Sequence, residues 1–288
     1  MFGAPSLDAG VLGVLGLLIG SFLNVVIFRL PKMMEQQWAA ECAELVENTT
    51  PNASAGATVD APRFNLLVPR SCCRNCGRQI RWFENIPVLS YLALRGKCAS
   101  CGSKIGMRYP MVELATGLLF AWCGWKWGVT PTAFAWSAFC AAIVALACID
   151  WDTTLLPDDI TLPLLWGGLI ASALQFTQVP LTAALWGAVA GYVSLWLVYW
   201  AFKLATGKEG MGYGDFKLFA ALGAWFGWQA LVPIILMASV IGAVVGIALK
   251  FGPGLREGGY VPFGPFLAGA GLTALVFGAQ AILRPFGL

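Results

Sequence analysis

The chain has 288 residues, of which 58% are hydrophobic and only 11% charged, with a net charge of +3 and a mean hydropathy of +0.73. A soluble domain carries about a quarter charged residues, so an ordinary water-soluble protein is excluded and a polytopic membrane protein is expected. Histidine is absent, which removes Ser-His-Asp and Cys-His nucleophilic sites and His-ligated metals and leaves proton chemistry near neutral pH to carboxylates, Cys, Tyr or Lys.

Val11 to Phe28 is the first apolar run, followed by Arg29 and Lys32. The positive charge follows the run rather than preceding it, and no small-residue cleavage site comes after, so an uncleaved span with its amino terminus outside is expected rather than a signal peptide. Residues 29–110 form the only long polar segment. Within it, Met33 to Glu47 reads as a short amphipathic helix, and Asn48 to Pro62, rich in Ala, Ser, Thr, Asn and Pro, as a flexible loop. Apolar runs follow at roughly 111–128, 131–149, 160–178, 181–203, 215–228, 230–250 and 261–283. A span needs about 20 apolar residues, so 215–228 is short; counting it gives about eight. The expected fold is all-α and polytopic, with about eight transmembrane helices and a small zinc-bound cytoplasmic domain between the first and second spans.

The distribution of positive charge sets the orientation. With the amino terminus outside, the loops after the odd-numbered spans are cytoplasmic. They and their flanks hold every Lys and Arg of the 18 except Lys126 and Arg284. That orientation puts the cysteine pairs, Asp150 and Asp215 on the cytoplasmic side.

Nine cysteines are present. Cys73-Arg-Asn-Cys76 and Cys98-Ala-Ser-Cys101 are separated by 21 residues, and each pair is followed by glycine, Gly77 and Gly102. In a reducing cytosol such pairs read as metal ligands rather than disulfides, and four thiolates suit a closed tetrahedral zinc site that folds the loop. A redox dithiol pair or unligated thiols are the alternatives. Cys72 gives a poorer spacing to Cys76 than Cys73 does, and Cys123, Cys140 and Cys148 read as small buried hydrophobes.

Two carboxylates stand at the ends of apolar runs. Asp150 is the first charge after the third expected span, and Asp215 opens the sixth. Ionisable groups at such depths mark function by default. Two neighbouring carboxylates share a proton, so that one can accept a proton from water while the other donates to a peptide carbonyl. Three glycines at alternate positions, Gly210, Gly212 and Gly214, let the backbone before Asp215 approach another chain or a substrate. The bland reading is a helix cap or a solvated charge, preferred for Asp152, Asp158 and Asp159; Asp158 fits an N-cap after Pro157. A proton-coupled membrane transporter using the same two aspartates, with a zinc-stabilised cytoplasmic cap, is the alternative function.

Gly212-Tyr-Gly-Asp215 resembles the G-x-G-D motif of intramembrane-type aspartyl peptidases, and Asp150 with Leu156-Pro157-Asp158 resembles its partner motif. Gly20-Ser-Phe-Leu-Asn24, Arg29-Leu-Pro31 and the two cysteine pairs occur in the order seen in bacterial type IV prepilin peptidases, which are bifunctional leader peptidase/N-methyltransferases. The resemblance runs from about Gly20 to Pro265. It implies cleavage of a short basic leader from prepilins and pseudopilins, after a glycine and before a hydrophobic helix, by Asp150 and Asp215. It then implies methylation of the new amino terminus with S-adenosylmethionine. Peptidase-only relatives lack the cysteine-rich loop, so its presence argues for both activities. Gly96, before the second pair, matches a family position implicated in methylation. Glu84, the polar residue in Trp82-Phe-Glu-Asn-Ile-Pro87, is a candidate for holding the substrate amine or the donor, with a plain surface charge as its alternative. No soluble-type G-x-G-x-x-G loop marks the donor site.

The implied domains are a first span over 1–29, a four-cysteine zinc domain linked to methyl transfer over 30–110, and a membrane aspartyl peptidase over 111–288. The implied location is a bacterial inner membrane, with lipid and prepilin-type substrates as partners and no nucleic acid. Gly13, Gly16 and Gly20 read as helix-packing positions.

Overall fold

A computed structural model describes residues 5–49, 64–251 and 261–283, which divide between two compact units: residues 1–16 with 116–288, and residues 17–115. Among the described residues the structure is helical, with only two isolated antiparallel bridges, Cys72 with Gln79 and Lys97 with Lys104. The helices are α1 (Pro5–Thr49), α2 (Leu89–Ala93), α3 (Arg108–Trp127), α4 (Pro131–Thr153), α5 (Asp158–Ala173), α6 (Leu181–Thr206), α7 (Tyr213–Phe226), α8 (Leu231–Phe251), α9 (Gly264–Phe277) and α10 (Ala279–Leu283).

The larger unit is built of helices apolar on nearly every face, the pattern of segments buried in lipid or in a large core. Prolines and glycines set their ends. Thr130 caps α4 by accepting from the Ala133 N–H at 3.3 Å, with Pro131 at the first helical position. Gly207 closes α6 in the left-handed conformation at φ +70°. Among the described residues, four segments are long and apolar enough to cross a membrane by themselves: Pro5–Leu45, Pro131–Thr153, Leu181–Thr206 and Trp228–Phe251. Each of the eight expected runs forms a helix, but two shrink. The 160–178 run becomes Asp158–Ala173, and the 261–283 run breaks at Gly278, φ +85°, into α9 and α10.

α7 is the axis of this unit. At 14 residues it is about 21 Å long, yet from Asp215 to Trp225 every residue except Lys217 is buried. It lies against α5 and α6. Gly187 of α6 and Gly223 of α7 meet backbone to backbone, so that a Cβ on either would collide with the other's carbonyl. Trp225 Nε1 donates to the Leu164 carbonyl of α5 at 2.8 Å. The far end of α7 is fastened to the start of α4 by aromatic rings: Trp136 and Phe139 lie 4.9 Å and 5.0 Å from Trp225 between centroids. This contact joins the first turns of α4 to the last turn of α7, so the two helices run antiparallel and the last turn of α4 and the first turn of α7 fall at one end of the unit. In the same unit, the early part of α1 packs on α3: a Cβ on Gly16 would stand 2.7 Å from Phe120 Cβ, and one on Gly13 3.2 Å from Ala121 Cβ, which is the packing role expected of those glycines.

In the smaller unit α1 continues without interruption to Thr49. The separate amphipathic helix expected over Met33–Glu47 is instead the distal part of this one helix, which passes through Pro31. The residues beyond Pro31 are mostly good helix formers, which extend the helix once begun. Asn48 and Thr49 of the expected loop are its last residues, and residues 50–62 lie outside the described ones. Arg29, although charged, is buried; its guanidinium donates to the carbonyls of Asn65, Leu66 and Pro69 at 2.9, 3.3 and 2.6 Å, which folds the 64–69 segment onto α1.

Candidate active site and thiolate cluster

Asp150 lies in the last turn of α4 and Asp215 is the third residue of α7, and both are buried, at 5% and 7% exposure. The two carboxylates are within electrostatic reach of one another. Asp215 is not a helix cap: the cap position is Gly212, which has no side chain to offer. Asp215 Oδ1 is buried and accepts no hydrogen bond among the described residues.

The α4–α5 turn shapes the floor of the site. Thr154 takes the left-handed conformation at φ +57° and its N–H donates to the Asp150 carbonyl at 2.8 Å. The turn then directs Leu156 between two glycines. A Cβ on Gly214 would stand 2.6 Å from Leu156 Cβ, and one on Gly264 would stand 3.3 Å from Leu156 Cδ1 and 2.5 Å from Asp150 Oδ2. Gly264 thus lets the start of α9 touch the Asp150 carboxylate. The glycines before Asp215 therefore serve the chain's own packing more than was expected: Gly214 admits Leu156 and Gly210 admits the Phe202 ring, while Gly212 faces open space apart from Asp215 itself. Asp158 is the first helical residue of α5 rather than its cap, and it pairs with Lys217 Nζ at 2.6 and 2.7 Å, joining α5 to α7. Asp152 and Asp159 are exposed. Gly264 and Lys217 were not singled out in the sequence, and Leu156 only as part of the motif that accompanies Asp150; the Pro262-Phe-Gly-Pro265 cluster opening an apolar run was the available signal for the first.

In the smaller unit the sulfurs of Cys73, Cys76, Cys98 and Cys101 lie within 4.8 Å of one another. The two pairs form matching turns. Gly77 (φ +70°) and Gly102 (φ +66°) close them, each donating to the carbonyl of the first cysteine of its pair, Cys73 at 2.9 Å and Cys98 at 3.0 Å. Cys73 Sγ and Cys101 Sγ are 3.8 Å apart, the separation of about 3.8 Å that tetrahedral zinc with Zn–S bonds of about 2.3 Å requires. The Ser103 hydroxyl, 3.2 Å from Cys101 Sγ, leads the contacts that hold the Cys101 thiol down to about 5, whereas Cys76 in the same cluster is raised to about 11. Donor chemistry and spacing both fit zinc. Cys72 is exposed and stays outside the cluster.

Glu84 belongs to the short 3-10 turn Trp82–Asn85. One oxygen accepts from Arg78 Nη2 at 2.6 Å and the other from the Arg81 N–H at 2.9 Å. The Arg81 amide and then the Arg78 guanidinium hold its carboxyl below the usual range. Gly96 follows α2 at φ +65°, donates to the Tyr91 carbonyl at 2.9 Å, and leaves no room for a Cβ, which would stand 2.8 Å from Tyr91 Oη. Gly96 thus turns the chain from α2 into the second cysteine pair. A cleft of about 570 Å³ opens between this turn, α2 and the second cysteine loop, lined by Arg78, Arg81, Phe83, Glu84, Leu94 and Ser100 among others.

A helical membrane unit with a buried carboxylate pair, joined in one chain to a four-cysteine unit, is matched by two family models. The bacterial peptidase A24 N-terminal domain covers residues 14–127 and the type IV leader peptidase family covers residues 137–247. The chain belongs to the type IV leader peptidase family. Among curated relatives, the prepilin leader peptidase/N-methyltransferase of Stutzerimonas stutzeri is 52% identical over 93% of this chain and 90% of its own length. The proteins of that name from Pseudomonas aeruginosa and Burkholderia pseudomallei (strain 1026b) are 51% and 50% identical, over 93% and 94% of this chain and 89% and 85% of theirs. No solved structure matches the chain.

Proposed function

We infer that the chain is a multi-pass membrane enzyme that removes the leader peptide of prepilins and then N-methylates the exposed amino terminus. The observation that carries this is the 52% identity to a named bifunctional enzyme across 93% of the chain. The transporter alternative finds no support in that relationship.

For the cleavage step, Asp150 and Asp215 are the acid–base pair. Two close carboxylates share one proton. The ionised member takes a proton from a water molecule while the protonated member donates to the scissile carbonyl, giving a tetrahedral diol. Collapse breaks the C–N bond, the departing amine takes a proton from the pair, and the shared proton is restored. Supporting this assignment are the burial of both groups at one end of antiparallel α4 and α7 and the open backbone at Gly212. A prepilin keeps its basic leader in the cytosol and its helix in the bilayer, so the reading places the pair on the cytoplasmic side of a bacterial inner membrane, as the positive charge distribution predicts. Pseudopilins are substrates of the same form.

In the segment 30–110, Cys73, Cys76, Cys98 and Cys101 hold a structural zinc that leaves no open position for chemistry. S-adenosylmethionine supplies an electrophilic methyl group. Glu84 stands on the donor side of that reaction, and Gly96 sets the turn on which this region depends. Residues 111–288 carry the peptidase.

The test is to incubate the purified enzyme with a prepilin and weigh the product. Loss of the leader plus one methyl group is expected. Asp150→Ala or Asp215→Ala should each abolish cleavage in a folded, inserted protein; full cleavage by either variant would refute the pair.

A further inference from the structure

The cleft of the smaller unit has features that neither the zinc cluster nor the peptidase pair explains. Its wall is the five-residue helix α2, and both ends of that helix are held in conformations that L side chains avoid. Val88, β-branched, sits at φ 59° before it, and Arg95 and Gly96 sit at φ 51° and 65° after it. A β-branched residue at positive φ is a genuine outlier, and such strain persists only where surrounding structure imposes it. Here the imposing group is Glu113 of α3, a carboxylate with 8% exposure whose Oε2 accepts the Val88 N–H at 2.8 Å. Placing one short wall thus uses a buried carboxylate and strained backbone.

The charges in the cleft are unequal. Arg78 and Glu84 neutralise one another at 2.6 Å. Arg81 forms no ion pair among the described residues, and its guanidinium lies 5.9 Å from the Phe83 ring centroid. The cleft therefore offers a planar cation outside any ion pair among the described residues, a carboxylate already paired with Arg78, an aromatic face with 43% exposure and an apolar strip at Ala93 and Leu94. A guanidinium matches a carboxylate in geometry and charge. An aromatic face and a nearby carboxylate suit a cationic centre or a flat heterocycle.

We propose that this cleft binds the methyl donor, with Arg81 taking the carboxylate of its amino-acid end and Phe83 flanking its cationic centre and base. The proposal rests on the chain being a methyltransferase. Gly96 and Glu113 are then positioning residues: the first ends α2, the second fixes its start.

The experiment uses the full-length, zinc-loaded protein in nanodiscs of zwitterionic lipid, titrated calorimetrically with S-adenosylhomocysteine, an unreactive analogue of the donor. One molecule should bind per chain. Arg81→Ala should weaken binding about ten- to hundredfold, the loss of one charge-assisted hydrogen-bond pair, and Arg81→Lys should recover part of it. Ala93→Trp, an exposed position on the cleft wall, should block binding while zinc content and leader cleavage report an intact protein. Wild-type affinity in both Arg81→Ala and Ala93→Trp would overturn the proposal, as would absence of binding by an enzyme that methylates its product. So would competition by glycerol phosphate at concentrations equal to the analogue, which would mark the cleft as a lipid headgroup site. An enzyme that cleaves prepilin but never methylates it overturns the methyltransferase reading itself, an outcome separate from the others.

Discussion

Replacing Gly264 with alanine tests the peptidase geometry without touching either aspartate. The added methyl carbon would stand 2.5 Å from Asp150 Oδ2 and 3.1 Å from its Cγ. An ordinary non-bonded separation is about 3.5 Å, so the carboxylate or the start of α9 must move by about 1 Å. The partner atoms are not at the far end of a long flexible chain: Asp150 is buried, and Leu156 blocks the third side at 3.3 Å. A misplacement of about 1 Å in a catalytic group costs about 100-fold in rate, or about 2.7 kcal/mol. Leader cleavage by Gly264→Ala should therefore fall about 100-fold in kcat, with KM little changed because the substrate-facing surface is the same. The control is Gly269→Ala in the same helix, where a Cβ meets nothing within 4 Å; it should cleave as the parent does and gain up to about 1 kcal/mol in stability. Cleavage kinetics on a synthetic prepilin in detergent, with thermal unfolding of each variant, decide it. Parental kcat in a folded Gly264→Ala protein would refute the claim that Gly264 fixes the Asp150 carboxylate.

Asp158→Asn, which breaks the partly exposed pair with Lys217, should cost at most about 1 kcal/mol and leave cleavage within a few-fold of the parent, in contrast to Asp150→Asn. Metal analysis should find about one zinc per chain; Cys98→Ser should lose it, and protease digestion should then show residues 64–107 opened while the membrane helices stay protected. Gly96→Ala meets the positive φ, the Tyr91 hydroxyl and the ring carbon Cζ at 2.9 Å, so it should destabilise the smaller unit by roughly 1 kcal/mol or more; Tyr91→Phe in the same chain should relieve only a part of that loss, since the ring carbon stays in place, as read by unfolding midpoints. Glu84 has a depressed folded pKa, so its contribution is complete above the unfolded value of about 4.3 and is lost only as pH falls through the lower folded value. Its side-chain carbon resonance should accordingly stay constant from pH 8 to pH 5.

The eight apolar runs were readable because burial in lipid demands long uninterrupted hydrophobic stretches, and each does form a helix. Their ends were less readable. The 261–283 run looks continuous in hydropathy, yet Gly278 breaks it by a backbone conformation that no apolar index records. The cysteine spacing was enough to expect four converging thiolates, since paired turns closed by glycine leave little freedom. The carboxylate pair was legible as two charges at span ends. How it is held was not: Leu156 stood out only as part of a motif and Gly264 not at all, until the α4–α5 turn and the start of α9 meet. Gly210 and Gly214 misled in the opposite direction, since a gap left by a missing side chain looks the same whether a substrate or the chain's own side chain fills it. Asp158 was read as a cap because its partner, Lys217, lies 59 residues away.

The brevity of α7 has a consequence for how hydrolysis reaches the bilayer. A hydrocarbon layer is about 30 Å thick, and a helix of 14 residues spans about 21 Å of it. Gly207 to Gly212, which lead into α7, are non-helical and largely exposed. Peptide groups without helical partners are tolerated at such depth only where protein covers them or solvent wets them. Under the proposed peptidase reading, the exposed loop before α7 is therefore wetted, and water reaches the aspartate pair by that inlet instead of through the acyl chains.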